Sequence, residues 1–388
     1  MTEPIRLPGE LRWETRLLAV VTATLVAFGI ATVYGASSLV RIGQGIAGGA
    51  YALDQFIGAL VGGLLMLIVS RIDYRRLRPL AWPMMIASIV LLLVIILPFT
   101  HAIAPRLNGA RRWIRIAGFQ LQVSELARLA VIVWAAMLAT KKGEQVREFK
   151  KGVMPFLLIL GLTALLILLE PNMSMAVLVA LLGGIVLFTA GAKIGHFLIL
   201  GSVAVVAGLQ LIHLAGYRSA RFETFLNGSD VTSQIHQSLV GIGSGRLLGV
   251  GFGQGLQKFG YVAYVYSDFI FSSIGEEWGF LGVVLIVLLY GIFCWLGFRI
   301  AKTAEDPFGQ YLATGLTAAV GVNAVMHMAV TLNLMPTTGL ILPFISHGRS
   351  SLVISLIGVG ILISIGRMRG KPEPRSRVRG VERRRAGG

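Results

Sequence analysis

The chain has 388 residues, of which 55% are hydrophobic and only 14% are charged, and its mean hydropathy is +0.77. A soluble domain could not bury that much apolar surface, so the composition excludes a water-soluble protein. The net charge of +17 lies between and beside hydrophobic runs, which argues against a nucleic-acid-binding protein. The single cysteine excludes a disulfide framework and a cysteine-based metal site.

The hydrophobic runs predict an all-α polytopic membrane protein with about ten transmembrane helices. Each run has to be helical because a helix satisfies all of its backbone hydrogen bonds within the hydrocarbon of the membrane. No cleaved signal peptide is recognised before the first run. The predicted domains are an N-terminus at 1–16, a transmembrane domain at 17–366 and a basic, disordered tail at 367–388. The predicted spans are 17–39, 53–70, 79–100, 121–140, 153–169, 173–190, 194–214, 268–299, 308–332 and 341–366.

Lysine and arginine are concentrated before the first span and after the second, fourth, sixth, eighth and tenth spans. Positive charge is typical of cytoplasmic connections, so both termini are predicted to be cytoplasmic. The remaining connections then face outward, including a large extracytoplasmic loop at 215–267 between helices 7 and 8. Its length and its repeated glycines indicate a functional loop, with tight turns and close approach of the backbone to a ligand.

The outward connection at 101–120 opposes the usual charge bias, because it carries a cluster of arginines around Trp113. Arginine pairs bidentately with phosphate oxygens, so Arg111, Arg112 and Arg115 are candidates for binding an anionic lipid headgroup or a pyrophosphate. A solvated loop that touches ordinary phospholipid is the alternative.

Two further segments place charge at a predicted membrane boundary. Glu125 and Arg128 are three residues apart and therefore share one helix face, where they either line a cavity or form a structural ion pair. Glu170 precedes Pro171, which ends a helix, so its carboxylate belongs either to an outward site or to a simple turn.

Asp268 lies where the glycine-rich loop meets the eighth span, and it is interpreted either as a catalytic base or as a helix N-cap. Glu276 and Glu277 follow about two helical turns later, and the structural alternative for both is pairing with Arg or Lys inside the membrane. The entrance to the last span, 333–351, contains two prolines, two glycines and a hydroxyl cluster. It predicts a broken or re-entrant helix beside a wet cavity, with a kinked helix as the alternative.

These segments, in this order, resemble the SEDS family (shape, elongation, division and sporulation). The resemblance covers the chain from about residue 34 to residue 366 and is closer to the division members than to the elongation members. The matching motifs are Asn-Gly-Ala-Arg-Arg-Trp-Ile at 108–114, Gln-Val-Ser-Glu-Leu-Ala-Arg at 122–128, Leu-Glu-Pro-Asn at 169–172, the glycine run at 241–255, Ser-Asp-Phe-Ile-Phe at 267–271 and Met-Pro-Thr-Thr-Gly at 335–339.

The resemblance implies a peptidoglycan glycosyltransferase that polymerises undecaprenyl-linked lipid II on the outer face of the bacterial cytoplasmic membrane, in septal synthesis during cell division. The implied partners are a class B penicillin-binding protein, which is a transpeptidase, and other division proteins. Asp268 is the implied general base. No cofactor is certain, and a divalent cation such as Mg²⁺ is an alternative to arginine for neutralising the leaving pyrophosphate.

The predicted substrate-binding residues share a polar side chain and a place on the outward side or next to it. They are Arg111, Arg112, Arg115, Glu125, Arg128, Glu170, Arg218, Arg221, Gln234, Gln237, Ser238, Lys258, Ser346, Ser350 and Ser351.

Several positions depart from the family pattern. Asn172 replaces the usual Asp, Tyr266 replaces a His, and both Arg246 and Arg349 replace a Gly. The two added arginines either tighten phosphate binding or block the groove. Two alternative functions are therefore kept, a lipid II flippase and a catalytically weakened scaffold for a transpeptidase.

Overall fold

The computed structural model describes residues 13–42, 49–97, 100, 104–105, 111–116, 119–213, 225, 234–257 and 265–368. Within these ranges it is almost entirely helical. The helices are α1 Trp13–Ile42, α2 Ala50–Arg71, α3 Leu77–Ile96, α4 Val123–Lys142, α5 Met154–Leu169, α6 Met173–Thr189, α7 Ile194–His213, α8 Gln234–Ser244, α9 Ile270–Lys302, α10 Pro307–Thr331 and α11 Arg349–Met368.

Eight of these helices, three of them (α3, α4 and α5) extended by an adjoining helical turn, are long and apolar enough to cross a membrane, namely α1 to α5, α9, α10 and α11. Two more apolar segments are shorter, namely α6 Met173–Thr189 and the part of α7 at Ile194–Ala204. These ten helices coincide with the ten predicted spans, and the all-α polytopic membrane fold is confirmed. The number of ten crossings stays a prediction, because α6 and that part of α7 fall short of the length of a full span.

The structure adds two elements that the sequence pattern did not predict. Strands β1 Trp113–Ile116 and β2 Phe119–Gln122 form an antiparallel hairpin directly before α4, in a connection interpreted as a loop. Helix α8 lies inside the long loop at 215–267, which was predicted to hold no full span. The last span also begins at Arg349 rather than at 341, because the preceding segment with its prolines forms turns and extended backbone.

The centre of the bundle is α4, since 89% of its most apolar stretch is buried, compared with 22% for α2. Helix α2 instead packs one face against α11 and turns the rest outward. A Cβ atom at Gly62 would lie 2.6 Å from Leu356 Cδ1, and one at Gly360 would lie 2.7 Å from the Met66 carbonyl oxygen. These small residues let the two helix backbones approach closely, as is typical of helix pairs in membranes.

Polar contacts between helix ends divide the bundle into two faces. On one face, Glu14 at the start of α1 pairs with Arg299 near the end of α9 at 3.3 Å. On the same face, Arg75 after α2 pairs with Glu305 before α10 at 3.0 Å. The contacts described in the next section join the opposite ends of the same helices. This division agrees with the alternation that the basic residues predict.

Helix α9 is interrupted at Gly279, whose φ of 64° and ψ of −162° are not helical. The carbonyl oxygens of Glu276 and Glu277 accept hydrogen bonds from the backbone of 250–251 at 2.9 and 3.2 Å. The amides of Phe280 and Leu281 donate to the carbonyls of 246–247 at 2.9 and 3.2 Å. The segment 245–251 therefore replaces hydrogen bonds that the interruption removes from the helix.

Candidate functional site at the broken helix entrances

Asp268 is half-buried in a turn at 265–269 that leads into α9. The N-cap position of α9 is occupied by Phe269, which makes no capping bond through its side chain. Ser267 donates its hydroxyl to Asp268 Oδ1 at 3.1 Å. On the other side, a Cβ atom at Gly339 would lie 3.8 Å from Asp268 Oδ2. The carboxylate thus lies between the start of α9 and the segment that precedes α11, and it is not the residue that caps the helix.

The residues before Asp268 are attached to the entrance of α11. Ser346 donates its hydroxyl to the Ser267 carbonyl at 2.7 Å, and the His347 amide donates to the Tyr266 carbonyl at 3.0 Å. The Ser346 hydroxyl also accepts from the Leu342 amide at 2.8 Å. The predicted break before the last span is therefore present, and its backbone is satisfied by protein groups as membrane depth requires.

Glu276 and Glu277 are buried, and both carboxylates bind backbone amides of the glycine-rich segment. Glu276 accepts from Leu256 at 2.7 Å and from Gln257 at 3.3 Å, and Glu277 accepts from Gly253 at 2.9 Å. Backbone amides of the glycine-rich segment are thus hydrogen-bond partners of both buried carboxylates, and their pairing with Arg or Lys stays a prediction.

The hairpin β1–β2 attaches its arginines to neighbouring turns. Arg111 donates to the Leu97 carbonyl at 3.0 Å. Arg112 donates to the Glu170 carbonyl at 3.2 Å and also to the Pro171 carbonyl. Arg115 is exposed. The first two guanidinium groups therefore hold the hairpin against the end of α3 and the α5–α6 turn, and Arg115 presents its charge to the surroundings.

Glu170 is 2% exposed, and among the described residues neither of its carboxylate oxygens has a hydrogen-bond partner. Burial raises the pKa of Glu170 to about 8, against the opposing effect of the nearby Arg112. The group is therefore largely protonated at neutral pH. A buried carboxyl group without a partner is an available binding group, which is consistent with the predicted role of Glu170 in a site.

The predicted relation between Glu125 and Arg128 is a closed ion pair. Arg128 Nη2 lies 2.8 Å from Glu125 Oε2, with both side chains buried, and it also contacts the Ser355 hydroxyl at 3.3 Å. Arg128 also lines a small, mainly apolar pocket between α4, α9, α10 and α11. The geometry therefore agrees with a structural ion pair, which was the second of the two interpretations of Glu125 and Arg128.

The remaining predicted polar residues are distributed among several contacts. Ser350 accepts from the Gln122 amide at 3.3 Å, which joins α11 to the hairpin. Ser238 is buried and donates to the Thr331 carbonyl at 3.0 Å. Ser351 is buried, Gln234 is exposed and Gln237 is half-buried.

Arg218, Arg221 and Lys258 lie outside the described residues. Within the described ranges, no group of three or more His, Cys, Asp or Glu side chains has the arrangement of a metal site. Among the described residues, Arg112, Arg115 and Arg349 place cationic groups near the candidate site.

Sequence analysis missed two residues of α2 that contact this region. Asp54 binds Arg349 Nη1 at 3.1 Å and His347 Nε2 at 3.2 Å. The Gln55 amide is buried and bonds to the backbone of 346–348. An Asp-Gln pair inside a predicted span, where polar side chains are costly, was the available signal.

Comparison with known proteins assigns the family. The FtsW/RodA/SpoVE family of cell cycle proteins matches residues 15–371. This chain belongs to that family. It is 40% identical over 370 residues to the probable peptidoglycan glycosyltransferase FtsW of Trichlorobacter lovleyi, covering 94% of this chain and 96% of the relative. It is 33% identical over 357 residues to stage V sporulation protein E of Bacillus subtilis, covering 90% and 96%. The predicted resemblance is confirmed.

Solved structures agree with this assignment. The chain resembles the rod shape determining protein RodA of Thermus thermophilus with a TM-score of 0.69 and 26% identity, covering 95% of this chain and 100% of RodA. It also resembles a chain of a peptidoglycan synthase complex with a TM-score of 0.76 and 26% identity, covering 92% and 98%. The family fold therefore extends over nearly the whole chain.

Proposed function

We propose that this chain is a peptidoglycan glycosyltransferase that polymerises lipid II, with Asp268 as its general base. The observation that carries the proposal is the position of Asp268 in a tethered, half-buried turn between the entrances of α9 and α11. A carboxylate held in that way can accept a proton from a substrate hydroxyl. The enzyme class agrees with the names of the curated relatives.

In the proposed reaction, the 4-hydroxyl of one lipid II attacks the anomeric carbon of the lipid-linked glycan strand. Its proton passes to Asp268 as the new glycosidic bond forms. The bond between the anomeric carbon and the pyrophosphate oxygen breaks, and undecaprenyl pyrophosphate leaves with the electron pair. The transition state resembles an oxocarbenium ion, and a nearby carboxylate stabilises its positive charge.

We propose that the leaving pyrophosphate binds cationic side chains on the same face of the bundle as Asp268. Arg115 is the exposed arginine of the hairpin, and the hairpin is joined through Arg112 to the α5–α6 turn. Ser174, next to that turn, donates to the Thr338 carbonyl at 2.8 Å, one residue before Gly339 beside Asp268. Contacts thus run from the arginine hairpin to the base. Cations along this path would neutralise the charge that develops on pyrophosphate.

The test is polymerisation of labelled lipid II by purified protein in detergent. Asp268→Asn is expected to abolish glycan polymer, a loss of at least about 100-fold, because the variant cannot accept the proton. Asp306→Asn is the matched control. It makes the same change in an aspartate that caps α10 on the opposite face, and its polymerisation rate is expected to be unchanged. Absence of polymer from the wild type, even with a partner transpeptidase added, would contradict the proposal.

A lipid II flippase is the second candidate, favoured by the cavity beside Arg128. The buried charges that a flippase would use, however, have partners within the protein. Glu125 pairs with Arg128, and Glu276 and Glu277 bind backbone amides. Movement of lipid II across liposomes without polymer would favour this alternative. A scaffold without activity would show neither polymer nor movement but would still bind the transpeptidase.

The proposed setting is the bacterial cytoplasmic membrane at the division site, with both termini in the cytoplasm. The solved complex that the chain resembles is a peptidoglycan synthase complex, which supports a transpeptidase partner. A class B penicillin-binding protein and other division proteins are the proposed partners. The N-terminus at 1–16, the transmembrane domain at 17–366 with its outward loop at 215–267, and the tail at 367–388 are proposed as part of the same topology.

A further inference from the structure

The turn that carries Asp268 has a second support, which starts on α2. Two consecutive residues of that helix, Asp54 and Gln55, bind the segment 346–349. That segment in turn binds the backbone of 266–267, next to Asp268. We propose that Asp54 and Gln55 are positioning residues for Asp268, and this proposal rests on the proposed role of Asp268.

The first step is the clamp made by Gln55. Its side chain is 0% exposed, its Nε2 donates to the Ser346 carbonyl at 3.0 Å, and its Oε1 accepts from the Gly348 amide at 3.2 Å. Both ends of one amide therefore bind the backbone on either side of His347. Such a two-point contact fixes the peptide planes of a non-helical segment that has few bonds of its own.

The second step is the charge of Asp54. One carboxylate oxygen lies 3.1 Å from Arg349 Nη1 and the other lies 3.2 Å from His347 Nε2. The carboxylate thus holds the side chains of two residues in the segment whose backbone Gln55 holds. Arg349 replaces the glycine that is usual in the family, so this arm of the clamp comes from a departure in this chain.

The third step connects the clamp to Asp268. The Ser346 hydroxyl binds the Ser267 carbonyl at 2.7 Å, and the His347 amide binds the Tyr266 carbonyl at 3.0 Å. Tyr266 also stacks on Tyr51, one turn before the clamp in α2, with ring centroids 4.2 Å apart and their hydroxyls 2.9 Å apart. Tyr266, another departure from the family pattern, therefore adds a direct contact with α2.

The physical consequence is that the position of the base depends on α2. A general base must be held within hydrogen-bond reach of the proton that it accepts, and a displacement of about 1 Å can cost up to 100-fold in rate. Asp54 and Gln55 are not placed in contact with substrate, so their loss should lower kcat and leave KM unchanged.

The experiment compares Asp54→Asn, Gln55→Met and the control Asp306→Asn in the full-length protein. Initial rates with labelled lipid II are expected to show a kcat about tenfold lower for both α2 variants, with KM within twofold of the wild type. Hydrogen exchange followed by mass spectrometry is expected to show faster exchange of the amides in 342–348 for both. Asp306→Asn is expected to leave these measurements unchanged.

Three results would overturn the proposal. Unchanged exchange at 342–348 in both α2 variants would show that the clamp does not hold the segment. A raised KM with unchanged kcat would place Asp54 in contact with substrate. Equal losses of kcat in the α2 variants and in Asp306→Asn would indicate a general loss of structure. If the wild type makes no polymer, the proposed function fails, and the exchange measurement alone supports or overturns the clamp.

Discussion

The buried side chain of Glu170 loses its hydration on folding, and in the described part of the chain it gains no hydrogen bond in return. Arg112 is close enough to oppose the effect of burial but binds the carbonyl of Glu170 rather than its carboxylate. Burial therefore prevails, and the neutral form is favoured.

This protonation makes the stability of the protein depend on pH. The pKa of Glu170 rises from 4.5 to about 8 on folding, so between these values the folded state binds more protons than the unfolded state. The stability gained from the proton is complete below pH about 4.5 and is lost as pH rises to about 8, by up to about 1.4 kcal/mol per pH unit.

Glu170→Gln tests this dependence because the amide stays neutral at every pH. Thermal unfolding in detergent between pH 5 and pH 8.5 is expected to give a midpoint that falls with pH more steeply in the wild type than in the variant. Parallel curves for the two proteins would show that Glu170 does not hold its proton in the folded state.

At the scale of elements, the glycine-rich segment acts as a partner for the interrupted helix α9. A Cβ atom at Gly245 would lie 1.9 Å from the Gly275 carbonyl oxygen, and one at Gly249 would lie 2.2 Å from the Glu277 carbonyl oxygen. Arg246, between them, has a φ of 48°, a conformation that ordinarily favours glycine. Gly245 and Gly249 are thus explained by close contact between backbones.

Gly245→Ala is therefore expected to lower the free energy of unfolding by about 3 kcal/mol, because the added methyl group cannot fit against backbone. Gly243→Ala is the matched control, since a Cβ atom there has nothing within 4 Å. It is expected to raise stability by up to about 1 kcal/mol, as alanine favours a helix. Equal thermal unfolding midpoints for the two variants would contradict the close contact between the segment and α9.

At the scale of the whole molecule, the two polar faces have to lie on opposite sides of a membrane. The ion pairs of Glu14 and Arg75 mark one face, and the contacts around Asp268 mark the other. The excess of Lys and Arg beside the first face supports the proposal that it faces the cytoplasm.

This orientation is tested by labelling single cysteines in spheroplasts with a maleimide that cannot cross membranes. Cys294→Ala removes the one natural cysteine. Arg115→Cys, in the exposed part of the hairpin, is expected to react in intact cells. Glu144→Cys, exposed after α4, is expected to react only after the membrane is opened. The reverse pattern would invert the topology and place Asp268 on the wrong side for lipid II polymerisation.

The sequence alone determined the membrane class, the positions of the ten apolar helices and the family. These follow from hydrophobic length and from ordered motifs, which are local properties of the chain. The Glu125–Arg128 pair was equally predictable, because residues three apart on a helix are neighbours. The two prolines likewise predicted the break before α11.

Only the tertiary structure decided how the site is held. Gln55 and Ser346 are 291 positions apart, and no periodicity connects two such residues. Hairpin β1–β2 escaped prediction because strands of only four residues give too short a pattern to be recognised as strands. Asp268 was found from its motif, but the N-cap interpretation was set aside only when Phe269 occupied that position. Packing between distant segments, rather than local pattern, determines which carboxylate is held at the site and which groups hold it there.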